Sequence, residues 1–131
     1  MTPLLWFVVK MAVMTFVVLL GASLLRAKGW TPAGMALAMG NRENMPIPSA
    51  LDGRADRTAR NTLEGFVLFA AIALVAHAAG KATPQVLQGA EVFFWARLVY
   101  IPVYVAGLAY VRTGVWAVSV IGLTMMVHGL G

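Results

Sequence analysis

Four stretches of this chain are apolar for about as long as a bilayer is thick. A spanning helix needs roughly 20 mostly apolar residues. Such stretches run from about Leu4 to Leu25, Arg57 to Ala79, Leu87 to Tyr110 and Gly114 to Leu130. A chain of 131 residues has room for little else. The composition agrees: 60% of residues are hydrophobic and 11% charged, whereas soluble domains carry about 25% charged residues. The absence of cysteine excludes a disulfide scaffold, thiolate catalysis and Cys-ligated metal sites. The expected fold is therefore all-α and integral to the membrane: a four-transmembrane-helix bundle in one domain, residues 1–131.

The connections are unequal. Residues 26–56 form a long polar loop, Gly80 to Pro84 a short turn with breaker chemistry, and Val111 to Thr113 the last link. Within the long loop, Pro32, Pro46 and Pro48 punctuate the chain. Its apolar piece Ala33 to Met39 reads either as a short helix on the bilayer surface or as an ordered connection.

Lys and Arg cluster on the cytoplasmic side of membrane proteins. Here 10 Lys and Arg stand against 5 Asp and Glu. Arg26, Lys28, Arg42, Arg54, Arg57 and Arg60 belong to the long loop and its flanks, and Arg112 to the last link. Only Lys81 lies in the middle turn. The basic excess thus sets orientation and is not a nucleic-acid signature. The long loop faces the cytoplasm and both termini face outward. For a bacterial chain that membrane is the inner one. Trp6 falls near the outer interface, Trp30 and Trp116 near the inner one. The first stretch reads as a retained helix, because Lys10 interrupts it and no small-residue cleavage site follows.

An ionisable residue inside a span is costly unless it faces protein or water, so the few charges in these helices are the candidates for function. Arg57, Asn61 and Glu64 recur at i, i+4 and i+7, on one helical face, with Arg60 at its edge. Arg97, Tyr100 and Tyr104 share a face of the third span in the same way. At about 1.5 Å per residue, Glu64 lies roughly 10–16 Å in and Arg97 roughly 20 Å in. The two are expected to pair, with Asn61 against Tyr100 and Arg57 against Tyr104. A lone Glu64–Arg97 pair would serve only helix packing. With its neighbours it becomes a polar cleft suited to a small anionic ligand, in which Arg binds carboxylates and a Tyr hydroxyl donates to a developing anion. Near the other face, Lys10, His77, Glu91 and His128 match no metal motif. Lys10 either pairs with Glu91 or extends toward the interface, and the histidines read as interfacial residues.

The run Gly53 to Phe66, with Arg54, Ala55, Arg57, Asn61 and Glu64 in order, resembles the second-helix motif of the MAPEG family, the membrane-associated proteins in eicosanoid and glutathione metabolism. Ala96-Arg97-Leu98-Val99-Tyr100 followed by Tyr104 resembles that family's third-helix element. The sequence departs from the family pattern at Thr58, where alanine is common, at Gly65, where an aromatic residue can stand, and at Val67, in place of a proline. The resemblance implies a homotrimer that binds glutathione between protomers and acts, as a microsomal-type transferase or peroxidase, on a small lipophilic electrophile or hydroperoxide without a metal. It implies that Arg57, Asn61, Glu64, Arg97, Tyr100 and Tyr104 line the glutathione site. Arg26 would come from an adjacent protomer, and Arg112 with Tyr104 would activate the thiol. The same scaffold also serves non-catalytic lipid- or ligand-binding proteins. A small multidrug exporter is disfavoured, because the first helix carries Lys10 and no acid.

Overall fold

The computed structural model describes residues 1–40 and 49–131. Arg42, Pro46 and Pro48 lie outside the described residues. Among the described residues five helices follow in order: α1 Pro3–Ala27, α2 Pro32–Met39, α3 Ala50–Ala78, α4 Pro84–Val105 and α5 Ala109–Gly129. All but α2 are long and apolar enough to cross a membrane, so the chain is an all-α, multi-pass membrane protein. Large apolar side chains such as Phe16, Val67, Trp95 and Ile121 point outward, as they do where lipid rather than water is the solvent.

Local chemistry sets where the helices begin. Thr2, Thr31 and Thr83 each accept a hydrogen bond from a first-turn N–H. Each is followed by proline at the first helical position, where a missing N–H costs nothing. Ser49 and Asp52 form a reciprocal capping box. That box starts α3 at Ala50, well before Arg57, so the polar end of the long loop is helical. With 29 residues, α3 is about 43 Å long, more than the ~30 Å hydrocarbon core. Its first turns, carrying Asp52, Arg54 and Asp56, therefore project toward the interface.

The last link also differs from the sequence expectation. It falls at residues 106–108 rather than 111–113. Pro102 removes one hydrogen bond from the last turns of α4, and Gly107 takes a left-handed φ of 80° that ends the helix. Arg112 is thereby in the first turn of α5, its N–H bonded to the Leu108 carbonyl. The apolar piece of the loop is helix α2, packed beside the end of α1.

The bundle is divided along its length. The main core joins Leu4, Met11 and Met14 of α1 to Phe69, Ala73 and Ala76 of α3, Val86, Ala90 and Phe93 of α4, and Met126 of α5. These come from the end where α1 and α4 begin and α3 and α5 finish. At the opposite end α1 and α3 meet through Ala22, Ala55 and Ala59. The stacked rings of Phe69 and Phe93, 4.9 Å between centroids, lie toward the middle. Helices α4 and α5 approach backbone to backbone at Gly89 and Gly122: a Cβ on either would lie 2.7 Å from a main-chain atom of the other helix. Small residues allow this approach, and tight packing supplies association in lipid. Apolar packing thus occupies one half of the bundle, leaving the first half of α3, the second half of α4 and the first half of α5 to form a site.

Candidate functional site

Helix α3 delivers Arg57, Asn61 and Glu64 to the gap between α4 and α5. Arg57 Nε donates to the Tyr104 hydroxyl at 3.2 Å. One turn deeper, Arg97 Nη2 donates to Asn61 Oδ1 at 2.6 Å. Arg97 is 2% exposed, and its guanidinium lies 4.3 Å from the centre of the Tyr100 ring. Tyr100 in turn meets Tyr104 edge to face at 5.5 Å. From α5, Arg112 covers the other side of Tyr104, 4.7 Å from its ring centre. Two cations therefore converge on one phenol. Its oxygen accepts from Arg57, which leaves its own proton free to donate.

These side chains line two adjoining spaces. The outer cleft, about 290 Å³, is walled by Asn61, Tyr100, Tyr104, Arg112, Thr113 and Trp116. The inner chamber, about 150 Å³, shares Asn61 and Trp116 and adds Glu64, Gly65 and Arg97 as its polar side. Leu68, Phe93, Val120 and Leu123 form its apolar side. Ser119 closes the wall with its hydroxyl on the Trp116 carbonyl at 2.6 Å.

The expected Glu64–Arg97 ion pair is not formed. Glu64 is exposed, and Arg97 Nη2 instead meets Asn61, one turn nearer the outer cleft. The reason lies on α4. Arg97 Nη2 reaches Asn61 while its guanidinium packs on Tyr100, so the contacts of its head are made with those two residues. Arg97 Nε is left buried with no hydrogen-bond partner among the described residues. The expected Asn61–Tyr100 contact becomes a shared wall around Arg97, and the expected Arg57–Tyr104 contact is present. The depth of Arg97 differs as well: with α4 ending at Val105, Arg97 lies about 12 Å from that end of the helix.

Arg26 does not reach this cleft within one chain. It lines a separate space of about 460 Å³ with Leu19, Ser23, Asp56 and Arg60, among others, between α1 and another face of α3. Lys10 lies 4.9 Å from the centre of the Phe7 ring, and no Lys10–Glu91 pair occurs among the described residues. His77, Glu91 and His128 are exposed, and no metal-holding cluster is found among the described residues.

Two residues acquire roles that spacing did not suggest. Arg54 Nε donates to the Val105 carbonyl at 2.9 Å, capping the end of α4. Its position i−3 to Arg57 was the available signal, but charge alone read as orientation. Thr58, the departure from alanine, is fully buried and donates to the Arg54 carbonyl at 2.7 Å. Its hydroxyl is thus satisfied within its own helix.

Comparison with known proteins adds one match. The family model described as MAPEG family matches residues 3–131. No curated protein and no solved structure matched the chain. Four spanning helices, the α3 and α4 polar stripes and a match over nearly the whole length lead to one conclusion: this chain belongs to the MAPEG family, membrane proteins of the eicosanoid and glutathione metabolism type.

Proposed function

We propose that the protein is a glutathione-dependent membrane transferase or peroxidase acting on lipophilic electrophiles or hydroperoxides. The observation that carries this reading is the convergence of Arg57 and Arg112 on Tyr104. Cationic donors and a phenol O–H at one point lower the pKa of a thiol held there. Arg57 and Arg112 are suited to the carboxylates of glutathione, and Glu64, exposed and unpaired, to its ammonium. Asn61, Arg97 and Tyr100 form the wall that positions these groups. Glutathione supplies the sulfur nucleophile when bound; the chain's own residues bind it, orient it and stabilise its anion. The lipophilic partner enters from the bilayer, along the apolar flank of the inner chamber.

A homotrimer completes this reading. Arg26 lies on another face of α3 from the cleft, and a neighbouring protomer is the natural source of that cation. Both termini outside and the first loop cytoplasmic follow from the basic residues gathered at one end of the bundle. Fusing a periplasmic-active and a cytoplasmic-active reporter to each terminus tests this topology.

The test of function is turnover by the detergent-solubilised protein of glutathione with 1-chloro-2,4-dinitrobenzene or a lipid hydroperoxide. Activity abolished by Arg112→Ala supports the proposal. Wild-type protein that neither binds glutathione nor turns it over refutes it. The alternative, a non-catalytic lipid- or ligand-binding protein, is favoured by Gly65, which withholds a side chain from the cleft wall; ligand binding without turnover would identify it.

A further inference from the structure

The outward face of α4 carries a charge that the cleft does not use. Glu91 is exposed and lines an apolar groove of about 560 Å³ between α4 and α5. Trp95 and Val99 line it in successive turns beyond Glu91, with Val115 and Val118 of α5 opposite. The groove therefore has its acid at one end and runs about 12 Å along the span from there. Its volume is several times the roughly 150 Å³ that holds benzene, which suits a chain rather than a ring. Lys10 stands at the same level on α1. Each is seven residues past the first residue of its helix, Pro3 or Pro84, about 10 Å along the axis. The rings of Phe7, Phe94 and Trp95 form a row from Lys10 to the groove. Lys10 Nζ is 4.9 Å from the Phe7 centre, and successive ring centres are 5.7 and 5.3 Å apart.

A charge that faces lipid without a partner is costly, and Lys10 and Glu91 form no pair among the described residues. A ligand that satisfies both carries both signs. Helices α1 and α4 begin at the same end, and helical side chains lean toward the N-terminus. Lys10 and Glu91 thus lean together toward the headgroups. Trp6, one turn nearer that end, is 49% exposed, as an interfacial aromatic is. A second copy fits this face less well. The neighbouring protomer that brings Arg26 meets the cleft, walled on α5 by Trp116 and Val120. Val115 and Val118 lie on another side of α5 and stay turned to lipid.

We propose that this face binds one ethanolamine phospholipid from the leaflet at which α1 and α4 begin. The lipid's ammonium donates to the Glu91 carboxylate, and its phosphate accepts from the Lys10 ammonium. One acyl chain lies in the groove along Trp95, Val99 and Val118. Chemistry selects the head. A primary ammonium has N–H donors for a carboxylate, a choline head has none, and a glycerol head brings no cation to Glu91. The proposal rests on the preceding reading only for the place of the neighbouring protomer; it does not use the thiol chemistry.

The test is native mass spectrometry of the detergent-solubilised full-length protein, titrated with dioleoyl phosphatidylethanolamine, phosphatidylcholine and phosphatidylglycerol. The ethanolamine lipid is expected to bind about tenfold more tightly than either of the others. Glu91→Gln keeps the size of the side chain and removes its charge. It is expected to weaken the ethanolamine lipid about tenfold and to erase its preference. Lys10→Met is expected to weaken all three lipids alike, since all three carry the phosphate. Both residues are exposed, so the thermal midpoint in detergent is expected to stay within error. Equal binding of the three lipids overturns the proposal. So does an unchanged order in Glu91→Gln, or an unchanged affinity in Lys10→Met. Glu91→Gln protein that separates into protomers also overturns it, and gives the groove to a second copy. A protein that turns over glutathione but shows no headgroup preference loses this proposal alone; one that keeps the preference without turnover loses the transferase alone.

Discussion

The contrast between Asn61 and Glu64 tests the site's geometry most directly. Both are polar residues of α3 one turn apart, and the sequence pointed to Glu64 as the partner of Arg97. The structure gives that role to Asn61, through a 2.6 Å charge-assisted bond to a guanidinium that is 2% exposed. Asn61→Ala removes a hydrogen bond to a charged group, about 1.5–3 kcal/mol. It also leaves the buried cation with no side-chain acceptor among the described residues, which places the cost at the upper end of that range. Arg97 keeps its place over Tyr100, a contact common to both proteins that does not enter the difference. The expected loss is therefore about 2–3 kcal/mol. Glu64→Ala removes an exposed carboxylate with no ion pair, and the expected change is within about 0.5 kcal/mol. Asn61→Asp keeps the acceptor and adds a countercharge, so its stability should match or exceed wild type. The assay is reversible unfolding in mixed micelles, comparing the midpoints of the three variants with wild type. Glu64→Ala as destabilising as Asn61→Ala would refute the geometry and restore the Glu64–Arg97 pair.

Other consequences are simpler to check. Tyr104→Phe removes the phenol that accepts from Arg57 and should reduce turnover with glutathione about 10²-fold or more, with thermal stability lowered by no more than about 1 kcal/mol; steady-state kinetics and a melting curve separate the two effects. Arg54→Ala uncaps the end of α4 and should cost about 1–2 kcal/mol, seen as faster amide exchange at Gly107 and Leu108. Gly122→Leu would put a Cβ 2.7 Å from the Phe93 main-chain nitrogen. It should separate α4 from α5 at a cost of at least about 3 kcal/mol, visible as lost monodispersity in detergent.

The fold was largely legible because bilayer thickness is a length ruler that hydropathy reads directly. Four stretches of the right length admitted one architecture among the described residues. Helix ends were less legible. Their causes were nevertheless present as local chemistry: the Ser49–Asp52 box that begins α3 early, and Pro102 with Gly107 ending α4 early. The polar stripes were also legible, since a helix fixes which residues share a face. Spacing correctly grouped Arg57, Asn61 and Glu64, and separately Arg97, Tyr100 and Tyr104.

Which member of one stripe meets which member of the other was not in the spacing. Two parallel rows of side chains can slide by a turn, about 5.4 Å, and every row still looks complementary. The sliding is settled by packing elsewhere: the Gly89–Gly122 approach locks α4 to α5, and the stacked Phe69 and Phe93 set α3 against α4. That register puts Arg97 opposite Asn61 and leaves Glu64 unpaired among the described residues. The sequence by itself determined a membrane bundle with a polar cleft at its basic end. Only the tertiary structure decided how the cleft is wired, because side-chain partners depend on helix register, and register is set by contacts distant from the charges it aligns.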